Sequence, residues 1–204
     1  MFNTVNIKSL RKTFDKWRAP DNSRLPFRDM NTSTTCKTES ELYENLVRAM
    51  IKTGDDKPVS NGKPEHAAII YKLFFEFAVS KVLIFCKELN SSVFGDDRIL
   101  MMAEKALERG VTIRVITQGL QPQPSNFTKW LLEKAKSGSC VSVKTCKVGS
   151  PYASLPMNFA LMDEKAYRYE ANNDHVKAVA CMNNPRITTE LANFFDTINT
   201  AVAA

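Results

Sequence analysis

Histidine is almost missing from this chain. His66 and His175 are the only two among 204 residues. Two imidazoles argue against a zinc site. The five cysteines (Cys36, Cys86, Cys140, Cys146 and Cys181) form no C-x-x-C pair, and several fall inside apolar runs. An odd number in that placement points to reduced thiols in a cytosolic protein. Glycine is sparse too: seven residues, scattered, with no G-x-x-x-x-G-K-[ST] loop and no G-x-S-x-G elbow. A glycine-built phosphate cradle and the nucleophile turn of a hydrolase are therefore not expected. No apolar run is long enough to cross a bilayer. The longest, 73–86, is interrupted by Glu76 and Lys81. The first residues lack the basic-then-apolar order of a secretory signal. These absences predict a cytoplasmic protein without a cofactor or structural metal.

The composition is otherwise that of a soluble globular chain, 44% hydrophobic and 25% charged. The net charge of +6 is concentrated at one end. Residues 1–37 hold eight basic side chains (Lys8, Arg11, Lys12, Lys16, Arg18, Arg24, Arg28, Lys37) against three acidic ones, a surplus of five. The other 167 residues carry a surplus of one. Within this basic arm Ile7, Leu10, Phe14 and Trp17 recur at helical steps and predict a short amphipathic helix from Asn6 to Trp17. Three uses are open to it. The cations can displace counterions from nucleic-acid phosphates, with Arg24, Arg28 and Lys37 extending the charge. The helix can rest on an anionic membrane surface. Or Phe14 and Trp17 can dock on the body or on a partner protein.

Beyond the arm, helical and strand periods alternate. Thr38 to Glu41 reads as a capping box that opens a helix ending near Gly54. Residues 53–63 read as a loop, so the main domain is placed at 64–204. Pro64 suits a first helical turn, and helices follow over 65–79, 97–109 and 126–137, with a last one opened by Asn184 and Pro185. Strands are predicted over 81–87, 111–117, 141–146, 159–163, 166–170 and 176–181. The pattern predicts an α/β fold, a mixed sheet with helices on both faces, preceded by a small helical N-terminal region over 1–63.

One strand carries a chemical signature in altered form. The stretch Pro156-Met157-Asn158-Phe159-Ala160-Leu161-Met162-Asp163 resembles His-x-Lys-x-x-x-x-Asp of the phospholipase D superfamily, with Pro156 at the histidine, Asn158 at the lysine and Asp163 intact. Residues 82–117 resemble that family's first strand, helix and second strand, 158–170 its central hairpin, and 178–195 its closing strand and helix. The resemblance implies a phosphodiesterase-type fold over roughly 64–200. It also implies a nucleophilic histidine and a phosphate-holding lysine, which Pro156 and Asn158 cannot supply. It further implies pairing of two copies about a two-fold axis, and a setting such as a bacterial regulatory or phage-defence system.

The reading that follows is a catalytically inactive binding or regulatory subunit. Two alternatives stay open. His175-Val176-Lys177 repeats His-x-Lys, but Met182 stands where the aspartate belongs, and a one-residue slip turns a strand side chain to the other face. A metal at Asp163, joined by Asp96 and Asp97, would be another route, although paired aspartates before a helix suit capping. Cys86, Cys146 and Cys181 read as core thiols. A protein–protein scaffold with no nucleic-acid binding is the third possibility.

Overall fold

The computed structural model describes residues 37–119, 122–138, 140–172 and 177–203. The predicted basic helix and every cation assigned to it from Lys8 to Arg28 lie outside the described residues, as does His175.

Thr38 caps helix α1 (Glu39–Thr53): its hydroxyl accepts from Glu41 N at 3.3 Å, and the Glu41 carboxylate accepts from Thr38 N at 2.8 Å. Both halves of the box satisfy otherwise orphaned amides. Gly54 ends the helix at φ +67, a left-handed conformation that suits glycine. Strand β1 (Val59–Asn61) follows, then helix α2 (Pro64–Phe77) and strand β2 (Lys81–Cys86). A short helix α3 (Ser91–Phe94) precedes α4 (Asp97–Glu108), which Asp96 caps through Arg98 N. Strand β3 (Thr112–Thr117), helix α5 (Asn126–Lys136) and strand β4 (Val141–Thr145) complete a parallel unit. The remaining elements are β5 (Asn158–Met162), β6 (Ala166–Glu170), β7 (Ala178–Cys181) and α6 (Pro185–Ala203).

The seven strands form one sheet in the order β1-β7-β6-β5-β2-β3-β4. Strands β2, β3 and β4 run parallel, and the pairs β2–β5, β5–β6, β6–β7 and β7–β1 are antiparallel. Strand alternation divides the buried side chains between two cores. Val82, Ile84, Ala160 and Met162 face α1 to α5. Leu83, Phe85, Phe159 and Leu161 face α6, through Leu191, Phe194, Phe195 and Ile198. The predicted α/β sheet, covered on both faces, is what forms.

Two elements depart from expectation. The stretch 53–63 is not all loop, because Val59–Asn61 pairs antiparallel with Ala178–Ala180. Three residues between Pro58 and Gly62 are too few to show a period. Helix α3 is a single turn whose cap, Asn90, accepts from Ser92 N. Val47, Met50, Ile51 and Val59 also share the core of the main sheet.

Candidate functional site

Four strands end together at one end of the sheet, three of them with a polar residue on the α2 face: Asn61, Glu170 and Asn158. The register sets Asn158 opposite Glu170, Glu170 opposite Ala178, and Ala178 opposite Asn61. Arg168 lies one alternation deeper, between Ala160 and Ala180. Alanine at 178 and 180 leaves space above β7, and the Arg168 guanidinium reaches across it to β1.

The result is a hydrogen-bonded chain. Lys87 N donates to Asn158 Oδ1 at 2.7 Å, and Asn158 Nδ2 donates to Glu170 Oε2 at 3.2 Å. Arg168 Nη1 donates to the same carboxylate oxygen at 3.1 Å, and its Nε donates to Asn61 Oδ1 at 3.1 Å. Asn61 Nδ2 then donates to the Tyr43 hydroxyl, which donates to Ser60 O. Arg168 is 4% exposed and Glu170 8%. A buried ion pair of this kind persists because each charge is paired and hydrogen-bonded. The guanidinium also lies 5.6 Å from the ring centroid of Tyr71.

Above this floor opens a cleft of about 320 Å³ at the carboxyl end of β2. In open α/β sheets ligands bind at this end of the strands. Its walls come from Tyr71 of α2, from Val93 and Phe94 of α3, and from the segment Cys86–Glu88. Burial pushes both the Tyr71 hydroxyl and the Cys86 thiol well above their ordinary values. A thiol held protonated is a poor nucleophile. The other thiols that the sequence placed in the core, Cys146 and Cys181, are buried and also shifted upward by desolvation.

The three positions of the altered motif do not meet. Asn158 lines the cleft. Pro156 lies half-buried in the loop before β5 and is not among the cleft residues. Asp163 follows the opposite end of β5, where its carboxylate accepts from Val79 N, Ser80 N and Lys81 N, and from the Ser80 hydroxyl. Its backbone is left-handed, at φ +55, and Asp163 N donates to Lys81 O. It is a turn residue that fastens β5 to the start of β2. Asp96 caps α4, and among the described residues no three His, Cys, Asp or Glu side chains gather as a metal site. Lys177 is exposed and outside the cleft.

Sequence reasoning passed over Asn61, Arg168 and Glu170. A signal was present: Arg168 and Glu170 alternate with Tyr167 and Tyr169, so two charges share one face of a strand that is buried throughout.

No family model matches the sequence, and no curated protein does. Solved structures do. NucT from Helicobacter pylori superposes with a TM-score of 0.50 at 11% identity, over 71% of this chain and 96% of that one. The fold is phospholipase D-like. Nuc from Salmonella typhimurium, a phospholipase D family member, aligns over 71% of this chain and 95% of its own at 12% identity, with a TM-score of 0.49. The archaeal chromatin protein TrmBL2, whose structure shows a novel mode of DNA binding, aligns at 15% identity and 0.48 over 76% of this chain. The present chain spans 58% of TrmBL2. Identities this low establish the likeness of fold alone. Asn158 stands at the cleft end of β5.

Proposed function

We propose that this chain is a non-catalytic, phospholipase D-like binding or regulatory subunit that contacts nucleic acid through its basic N-terminal region. The observation that carries the reading is the state of Asn158. The position that the superfamily motif gives to a phosphate-holding lysine is filled by an uncharged amide, and both ends of that amide are engaged, one by Lys87 N and the other by Glu170. Pro156, at the nucleophile position, offers no side-chain group for phosphoryl transfer. Phosphoryl transfer of the superfamily type needs a nucleophilic imidazole at that position. The imidazole nearest in sequence to the cleft wall, His66, is instead stacked on Tyr43 with ring centroids 3.9 Å apart.

The nucleic-acid part rests on charge. Lys8, Arg11, Lys12, Lys16, Arg18, Arg24 and Arg28 give the arm its surplus, while the body is nearly neutral. Pairing of two copies about a two-fold axis, and a role in a bacterial regulatory or phage-defence system, extend the same reading.

The test has two arms. Full-length protein is incubated with DNA, RNA and a chromogenic phosphodiester, with and without divalent cations. No turnover above background is expected. Cleavage abolished by His175→Ala, or cleavage that requires a divalent cation and is abolished by Asp163→Ala in protein shown to be folded, would instead establish the displaced-motif or metal-dependent enzyme. Binding to DNA and RNA is measured against salt. The expected result is affinity that falls steeply with salt, with a slope reduced by about 2 in the Arg11→Ala, Lys12→Ala double variant. No binding even at low salt would leave the protein-scaffold reading.

A further inference from the structure

The cleft at Asn158 has the wrong charge for a phosphate and the right groups for something else. Its charged lining is balanced: Lys87 and Arg168 against Glu88 and Glu170. Glu170 belongs to the floor, and a phosphate placed beside Asn158 would face that carboxylate. Two like charges held that close repel each other. A neutral ligand avoids that cost.

The hydrogen-bonding capacity of the floor is only partly used. Glu170 Oε2 accepts from both Asn158 and Arg168, while Oε1 accepts from no donor among the described residues. A guanidinium carries five N–H groups. Arg168 directs one to Asn61, one to Glu170 and one to the Tyr71 hydroxyl, which leaves two. Residues 168 and 170 share a face of β6, so a strong acceptor and spare donors stand side by side. Their complement is a C=O next to an N–H on one planar edge, as in a lactam ring. Tyr71 and Phe94 pack on one another, with centroids 4.5 Å apart and tilted by 49°, and together form one apolar side of the cleft against which a flat ring can lie. A volume of about 320 Å³ lies at the small end of ligand sites and suits a single ring system.

We propose that this cleft takes the lactam edge of a uracil-, thymine- or guanine-type base, with Glu170 accepting from the ring N–H and Arg168 donating to the adjacent carbonyl. The proposal rests on the reading of the same cleft as one without turnover. It adds the ligand class and turns the pocket from phosphate to base.

The experiment uses the full-length protein and titrates uridine, guanosine, 3-methyluridine and inorganic phosphate by calorimetry or ligand-observed NMR. Uridine or guanosine should bind saturably in the millimolar range or below. 3-Methyluridine, which lacks the ring N–H, should bind about tenfold more weakly, as expected for loss of a bond to a charged acceptor. Inorganic phosphate should not compete. Glu170→Gln should weaken uridine by a similar factor. Because that change touches a buried pair, Ser92→Trp on the exposed turn of α3 serves as a second variant, filling the cleft from its rim. The proposal is overturned by equal binding of uridine and 3-methyluridine, by displacement with phosphate, by unaltered uridine binding in folded Ser92→Trp, or by no nucleoside binding at all. The last result combined with intact, salt-dependent oligonucleotide binding would remove the base site and leave the proposed function standing. Turnover of a phosphodiester would remove the proposed function.

Discussion

Asn158 and Asp163 are five residues apart and have separate jobs. Asn158 looks into the cleft and ties the start of β5 to Lys87 and Glu170. Asp163 gathers three backbone amides and a hydroxyl from the segment Val79–Lys81 and adopts φ +55, which few residues other than glycine, asparagine and aspartate tolerate. The intact member of the altered motif is therefore explained by architecture. Asp163→Ala should destabilise the fold by about 2–4 kcal/mol, since it removes charge-assisted bonds from several amides at once and keeps the unfavourable backbone. Asp163→Asn, which retains an acceptor and suits the left-handed region, should cost clearly less. Urea denaturation of the two variants measures this. Equal stability of wild type and Asp163→Ala would show that the turn does not need the carboxylate.

At the scale of elements, α1 is held to α2 by ionic groups and one stacked pair. Arg48 bridges Glu44 and Glu76, and Lys72 Nζ lies 2.5 Å from Glu44. His66 stacks on Tyr43. Burial lowers the His66 pKa, and the opposing pull of Glu39, 3.7 Å away, does not cancel it. A histidine whose folded pKa lies below its unfolded value of about 6.5 stabilises the fold while neutral. That stability is complete above the unfolded pKa and declines as pH falls through it, because the unfolded chain then binds the proton more readily. Melting temperature should therefore drop between about pH 7 and 5.5, and His66→Phe should flatten that drop. The acidic partners act in a lower window: Glu39 and Glu44 are shifted below their ordinary value, Glu39 chiefly by Lys63, and their contribution goes as pH falls below about 4.5. A slope between pH 7 and 5.5 that His66→Phe leaves unchanged would place the titrating group elsewhere.

The elements that could be read from the sequence are those whose signals are local. The capping box at Thr38 and Glu41, the glycine stop at Gly54, Pro64 at a first turn and the apolar run of β2 each depend on a few neighbouring residues. Strand β1 could not be read, because Val59–Asn61 becomes a strand only by pairing with Ala178–Ala180, over a hundred residues away. The cleft was legible in one residue, Asn158. Its floor was not, because Asn61, Arg168 and Glu170 meet only when β1, β7 and β6 lie side by side. Motif spacing placed Asp163 with Asn158, whereas strand geometry separates them: five residues at about 3.3 Å each span roughly 16 Å.

The whole molecule divides by charge more sharply than by packing. Residues 38–203 supply a sheet with a core on each face, and α1 and β1 are joined to it by burial and by hydrogen bonds from Tyr43 to Ser60 and from Asn183 to Gly54. The basic surplus belongs almost wholly to residues 1–37. Stability and nucleic-acid affinity should accordingly separate when the chain is shortened. A protein starting at Lys37 retains Thr38, and with it the cap of α1, and should melt within a few degrees of the full chain, since the loss of a cap alone costs about 1 kcal/mol and the cap is kept. Its affinity for DNA or RNA at low salt should fall by at least tenfold, and the salt slope should approach zero, because each lost phosphate contact removes about 0.9 from the slope for duplex DNA. The complementary cut, starting at Pro64, removes β1 and exposes the β7 edge together with the face of α2 that α1 covers. It also deprives Arg168 of Asn61, so that protein should be far less stable or insoluble. Thermal melting and a salt-titrated binding assay on the two shortened proteins read both outcomes. Salt-dependent nucleic-acid binding that survives in the chain starting at Lys37 would move the phosphate-contacting interface onto the body, where the nearly neutral surface gives it no electrostatic reason to be.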